Sequence, residues 1–216
     1  MNKTVKTAVL VSGGGTNLQS IIDANLFGEI KNFELSAVIS SNPEAYANER
    51  ARNARIPVYI VDRSIFPNRK SFTKALLDKL NDLEIELVVY AGFNYIIDPP
   101  LIKAYKLRII NIHPSLTPSF CGPGFYGLRV HESALSHGVK VTGATAHFVT
   151  DVVDDGPIIL QKAVPVFEDD TPKTLQRRVM EDAEWKILPE AISLFCERRL
   201  KVEGKTVRIL DKADEQ

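Results

Sequence analysis

The chain alternates short apolar runs with longer segments in which apolar residues recur every three or four positions. Runs typical of buried strands occupy residues 7–12, 33–40, 57–61, 87–90 and 108–112. Helical periodicity occupies residues 17–24, 44–54 and 70–83. Strands that alternate with helices predict a parallel sheet joined by crossover helices. We therefore predict an α/β fold with a Rossmann-like, mostly parallel sheet and helices on both of its faces.

The C-terminal part has a different pattern. Residues 143–150 alternate in polarity, and residues 158–166 are rich in β-branched side chains, which predicts antiparallel strands. Residues 171–199 read as one long helix that Thr171 caps, with Pro172 at its first position. Two alternating segments flank Glu203 and Gly204, which predicts a terminal hairpin.

Composition narrows the class of protein. The 216 residues are 44% hydrophobic and 25% charged, which predicts a single domain over residues 1–210 and a disordered polar tail over 211–216. The 27 basic and 27 acidic residues balance, which argues against nucleic acid as a partner. We expect no membrane span and no secretory leader, because the apolar runs are short. Two cysteines without metal-ligand spacing predict a cytoplasmic protein without a disulfide framework.

A glycine-rich stretch, SGGGTNL at residues 12–18, lies between the first predicted strand and the first predicted helix. Glycine N–H groups can surround an anion, and the positive end of the helix dipole favours a phosphate there. The stretch lacks the lysine of a P-loop, and Leu18 stands where a dinucleotide fingerprint has its third glycine. The pattern leaves two interpretations, a phosphate site or a tight turn in which Thr16 or Asn17 caps the helix.

A histidine marks the end of the strand at residues 108–112. Pro114 cannot donate to a strand ladder, so the strand must end near His113. Asn111 and His113 are two positions apart, which places both side chains on one side of an extended strand. Ligands bind outside the carboxyl ends of parallel strands, so these two are candidate site residues. A histidine that merely caps a strand is the alternative. We interpret the neighbouring Ser115 as a loop-bonding residue and not as a nucleophile.

An acidic loop follows the second histidine-bearing segment, HFVTDVVDDGP at residues 147–157. It could supply a carboxylate partner for His113. A metal site on His147, Asp151, Asp154 and Asp155 is a weaker interpretation, because no matching ligand group occurs elsewhere. A simple turn at DDGP is the third interpretation.

Four ordered motifs carry a resemblance to a known family. VSGGGTNLQ, AGFNYII, NIHPSLTPSFCG and HFVTDVVDDGPIILQ together resemble the folate-dependent phosphoribosylglycinamide (glycinamide ribonucleotide) formyltransferases. These belong to the wider formyl-transfer and formyl-hydrolase superfamily. The resemblance extends over residues 7–210. It implies an enzyme that moves a formyl group from 10-formyltetrahydrofolate to the amine of glycinamide ribonucleotide in de novo purine biosynthesis.

The resemblance also implies residue roles. The catalytic groups would be Asn111, His113 and Asp154, with Asp154 chosen because it follows His147 by seven positions. The ribonucleotide would bind through Gly15, Thr16, Asn17 and Glu184, the last holding its ribose. The folate would bind through Arg69, Asn94, Tyr95, Ile96, Ile97 and Asn111. No metal is implied, and the partners would be small molecules, not nucleic acid or a membrane. The protein would be a monomer or a homodimer. Thr117 departs from the leucine common at its position.

Three alternatives stay open beside this function. They are another folate-linked formyltransferase, a formyltetrahydrofolate hydrolase, and a non-catalytic module that binds a phosphorylated metabolite. A hydrolase usually carries an N-terminal regulatory domain, whereas the first strand here begins by residue 7. A methionyl-tRNA formyltransferase needs a longer chain and a basic surface. A binding module would have no reason to place Asn111, His113 and Asp154 together.

Overall fold

The structure is a computed structural model that describes residues 3–211, and the chain divides into two compact units at Asn111. The prediction of one domain over residues 1–210 stays a prediction. Of the predicted tail, residues 212–216 lie outside the described residues.

Parallel strands form the first unit. They are β1 (Val5–Val11), β2 (Phe33–Ser40), β3 (Val58–Ile60), β4 (Leu87–Tyr90) and the start of β5 (Ile109–His113). Their order is β3-β2-β1-β4-β5, and every adjacent pair is parallel. The central strand β1 pairs with both β2 and β4, and its residues 8–11 are fully buried. Burial on both faces explains why these strands are continuous apolar runs.

Helices connect these strands. They are α1 (Thr16–Leu26), α2 (Ala47–Asn53), a 3₁₀ turn (Arg63–Ile65), α3 (Arg69–Asp82) and α4 (Pro99–Ala104). The interpretation of Thr16 or Asn17 as the cap of α1 is wrong, because Gly15 is the N-cap and Thr16 is already helical. Helix α4 was not predicted, since it is only 6 residues long and begins with two prolines.

The second unit contains α5 (Leu128–Ser136) and the antiparallel pair β6 (Val141–Phe148) and β7 (Ile158–Pro165). The predicted hairpin forms as β8 (Leu200–Glu203) and β9 (Thr206–Ile209), and β9 lies parallel to β7. These elements confirm the predicted fold class of a mostly parallel α/β protein with antiparallel C-terminal strands. One detail differs, since residues 142–148 are buried at every position and do not alternate.

The long C-terminal helix has three segments. They are α6 (Pro172–Val179), a π-helical turn (Met180–Glu184) and α7 (Trp185–Cys196). Thr171 caps the start as predicted, and it forms a capping box with Thr174. In the π turn the Trp185 N–H reaches back to the Met180 carbonyl. Pro189 lies one turn further on, where it has no N–H to offer the Trp185 carbonyl.

Within residues 3–211, none of the helices combines the length and the apolar character needed to cross a bilayer.

Candidate active site

The last residue of β5, His113, is buried, with 4% of its surface exposed. Its Nε2 lies 2.9 Å from the carbonyl oxygen of Phe120. A carbonyl oxygen only accepts hydrogen bonds, so Nε2 carries the proton that is donated. The other ring nitrogen, Nδ1, lies 3.5 Å from Oδ2 of Asp154. The imidazole is therefore fixed in orientation, with its free nitrogen toward a carboxylate.

Asp154 lies in the loop between β6 and β7 with φ of 55°. This left-handed conformation is uncommon for residues other than glycine, although aspartate tolerates it. Oδ2 accepts a hydrogen bond from the Gly122 N–H at 3.0 Å, and Oδ1 lies 3.7 Å from Nε2 of His147. The neighbouring Asp155 instead pairs with Lys205 at 2.7 Å. Among the acidic residues of this loop, Asp154 is the one held beside His113.

Burial and charge act in opposite directions on this pair. Burial lowers the pKa of His113, and it outweighs the opposing effects of the Asp154 carboxylate and the Phe120 carbonyl. Burial also raises the pKa of Asp154, but the nearby His147 and His113 rings and the Gly122 N–H together bring that pKa below its usual value. At neutral pH the pair is thus a neutral imidazole beside a carboxylate. A proton that reaches Nδ1 would be stabilised by that carboxylate.

The loop after His113 is tied to the strands beneath it. The Thr145 hydroxyl donates to the Ser115 carbonyl at 2.7 Å and accepts from the Thr117 N–H at 3.1 Å. Gln161 donates to the carbonyl of Thr117 at 3.0 Å. The Ser115 hydroxyl donates to the Ser119 carbonyl at 2.6 Å, as expected of a loop-bonding residue. Thr117 contributes its backbone to this network, so the leucine common at its position is not needed for these bonds.

The glycine-rich loop lies in the first unit, between β1 and α1. Gly15 has φ of 72°, and a Cβ atom there would lie 2.6 Å from Cβ of Ala47. Only glycine fits this position without strain. No acidic residue occurs in the first turn of α1, so the positive end of its dipole is not neutralised there. Thr16 and Asn17 are the first two residues of the helix.

The residues predicted to hold the folate also lie in the first unit. Tyr95 and Ile96 are exposed, whereas Ile97 is buried. The Asn94 N–H donates to the Ser12 hydroxyl at 3.1 Å, which joins this segment to the glycine loop. Arg69, the first residue of α3, forms an ion pair with Asp98.

Comparisons with known proteins identify the family. Residues 5–192 match the formyl transferase family. The chain belongs to the formyl transferase family. The crystal structure of glycinamide ribonucleotide transformylase 1 from Symbiobacterium toebii is 47% identical, covers 96% of this chain and 95% of its own, and has a TM-score of 0.90.

Curated members of the formyl transferase family are similar over most of their length. A phosphoribosylglycinamide formyltransferase from Haemophilus influenzae is 38% identical over 96% of this chain and 95% of its own length. A protein of the same name from Escherichia coli is 40% identical over 90% of this chain and 88% of its own length.

The structure locates the other predicted residues of this formyl transferase. Asn111 lies on β5, two residues before His113. Glu184 is buried, with 5% exposed, and ends the π-helical turn. Such turns are frequent at functional sites.

Two neighbours of His113 were not assigned to the site from the sequence. The first is the Phe120 carbonyl, which carries no sequence signal because it belongs to the backbone. The second is His131 on α5, which is 0% exposed and has no hydrogen-bond partner on either ring nitrogen among residues 3–211. Burial first, and then His113, lowers the pKa of His131 to about 4. The helical spacing of Val130 and Ala134 could have indicated that its turn of α5 is buried.

Proposed function

We propose that the protein transfers the formyl group of 10-formyltetrahydrofolate to the amine of glycinamide ribonucleotide, a step of de novo purine biosynthesis. Membership of the family and the names of its relatives support this reaction. The observation that carries the proposal is the His113–Asp154 pair. In it His113 is buried at the end of a parallel strand, and Asp154 is held by a hydrogen bond from the Gly122 N–H. A module that only binds a metabolite has no need of such a pair.

In the proposed mechanism the ribonucleotide amine attacks the formyl carbon, and negative charge develops on the formyl oxygen. The tetrahedral adduct then breaks its bond to N10 of the folate, which takes up the proton lost by the amine and leaves as tetrahydrofolate. Asn111 donates a hydrogen bond to the formyl oxygen, and His113 donates a second one from Nδ1 once this nitrogen carries a proton. One such donor contributes about 3 kcal/mol of transition-state stabilisation. Asp154 assists proton removal from the attacking amine, either directly or through water. Asp154 also stabilises the imidazolium that forms when a proton reaches Nδ1 of His113.

The binding roles follow the predicted residues. Gly15, Thr16 and Asn17 would hold the phosphate at the N-terminus of α1, and Glu184 would hold the ribose. The folate would bind along Asn94, Tyr95, Ile96 and Ile97, with Arg69 and Asn111. The exposed Tyr95 ring, which lies 5.7 Å from Phe72 and 5.9 Å from Phe93, offers an aromatic surface that suits a flat ring system. The folate supplies the activated formyl group when it is bound.

We propose a cytoplasmic location, because Cys121 and Cys196 are thiols and not a disulfide, which suits a reducing compartment. We also propose that the protein is a monomer or a homodimer and that it binds no metal, nucleic acid or membrane.

The test is to replace His113 with alanine and Asp154 with asparagine. We expect each change to lower the rate of formyl transfer by at least about a hundredfold, because each removes a group that acts in the transition state. The assay mixes the protein with glycinamide ribonucleotide and a 10-formyl folate and follows the absorbance of the deformylated folate. Circular dichroism and urea unfolding confirm that the variants fold.

Two outcomes would contradict the proposal. Near-normal transfer by either variant would reject the assigned roles. Release of formate at the same rate without the ribonucleotide would identify a hydrolase instead of a transferase.

A further inference from the structure

Two groups of helix α2 hold the carbonyl side of the glycine-rich loop. The Ala47 N–H donates to the Gly13 carbonyl at 3.0 Å. The guanidinium of Arg50 donates from Nε to the Gly14 carbonyl at 2.9 Å. Successive carbonyls of the loop therefore face α2 and are fixed there.

Peptide geometry determines where the loop N–H groups point. The Gly13 carbonyl shares a peptide plane with the Gly14 N–H, and the Gly14 carbonyl shares one with the Gly15 N–H. In a trans peptide the C=O and N–H bonds point in opposite directions. Both N–H groups thus point away from α2, and neither donates to any residue in the described part of the chain. Adjacent N–H groups directed to one side are what an anion binds.

Arg50 is held firmly in this position. Its Nη1 donates to Oε1 of Gln19 on α1 at 3.1 Å, and its guanidinium carbon lies 5.0 Å from the ring centre of Tyr46. No carboxylate among residues 3–211 forms an ion pair with it, whereas Arg52 on the same helix pairs with Glu49 at 2.7 Å. The positive charge beside the loop is therefore not neutralised by the protein.

We propose that Arg50 is a positioning residue for the ribonucleotide phosphate. Its hydrogen bond to the Gly14 carbonyl turns the Gly15 N–H toward the phosphate, and its charge raises the affinity of the loop for an anion. This inference rests on the proposed function, in which the loop binds the phosphate. Arg50 itself is not assigned a contact with either substrate.

The test compares Arg50→Met with Arg52→Met, which removes the same charge from the same helix. We expect Arg50→Met to raise the KM for glycinamide ribonucleotide about tenfold, because the Gly15 N–H would no longer be held in position for its hydrogen bond to the charged phosphate. The kcat of Arg50→Met and its KM for the folate should stay within about twofold of the wild-type values. Arg52→Met should have the same KM and kcat as the wild type. With glycinamide riboside, which lacks the phosphate, Arg50→Met and the wild type should have equal kcat/KM.

The inference is wrong if the KM of Arg50→Met for the ribonucleotide stays within about twofold of the wild-type value. The inference is also wrong if Arg50→Met loses as much kcat/KM with the riboside as with the ribonucleotide. Arg50 would then support the fold as a whole and not the phosphate site. Thermal unfolding of each variant without ligand accompanies the kinetics, so that lost stability is not mistaken for lost affinity.

Binding of ribose 5-phosphate, measured by calorimetry, separates this inference from the proposed function. If the wild type binds the sugar phosphate more tightly than Arg50→Met but transfers no formyl group, the inference stands and the reaction is wrong. If the wild type is active and both proteins bind the sugar phosphate equally, the reaction stands and the inference is wrong.

Discussion

At the scale of single residues, the candidate site contains two histidine rings that each lie against a backbone carbonyl. Nε2 of His113 faces the Phe120 carbonyl, and Nδ1 of His147 lies 2.9 Å from the Phe148 carbonyl. The remaining nitrogen of each ring faces Asp154. The sequence predicts His113 from the strand that ends beside it and Asp154 from the family motif. It does not predict the carbonyl partners, because they depend on how an irregular loop folds.

His131 should make the protein less stable in mild acid. Its pKa falls from 6.5 to about 4 on folding, so between these values the unfolded chain binds a proton that the folded chain does not. The free energy of unfolding should therefore fall as the pH drops from 6.5 to 4, by up to roughly 3 kcal/mol from this residue.

The check is urea unfolding of the wild type and His131→Leu at pH 7 and pH 4.5. The leucine variant should be about as stable at pH 7, because it removes a buried polar group that has no partner among the described residues. It should lose less stability than the wild type in acid. Equal pH dependence in the two proteins would show that His131 does not titrate in this way.

At the scale of elements, regular periodicity was predictable and irregular structure was not. The five parallel strands and the capped start of α6 follow directly from apolar runs and from Thr171. Helix α5 was missed because a run of prolines and glycines precedes it. The alternation predicted for residues 143–150 failed because β6 is buried along both faces. In each case tertiary contacts determined the structure, and a local sequence pattern carries no information on such contacts.

The turn between β1 and α1 should tolerate alanine at one glycine and not at another. Gly15→Ala would force a left-handed φ of 72° on alanine and bring its Cβ within 2.6 Å of Ala47. We expect it to cost about 2–4 kcal/mol of unfolding free energy. At Gly13 a Cβ meets nothing within 4 Å, so Gly13→Ala should change stability by less than about 0.5 kcal/mol. Urea denaturation measures both, and equal losses would contradict the close approach of Ala47.

At the scale of the whole molecule, the proposed function predicts that ligand binding stabilises the fold. A ligand that binds only the folded state, present at a concentration of a hundred times its Kd, adds about 2.7 kcal/mol to the free energy of unfolding. For a chain of 216 residues this corresponds to a rise in Tm of roughly 5–10 °C. Thermal unfolding with glycinamide ribonucleotide should show this rise, whereas glycinamide alone should not. An unchanged Tm at saturating ribonucleotide would count against a phosphate site at Gly15, Thr16 and Asn17.

The π-helical turn at Met180–Glu184 has a consequence for how the chain can vary. It contains one residue more than an α-helical path needs, and each residue turns a helix by about 100°. Deleting a single residue there would let the helix run on as an unbroken α-helix. It would also remove the widened turn beside Glu184, whose side chain is buried there. A shortened chain would thus have to accommodate the acidic side chain of Glu184 in a narrower, regular helix.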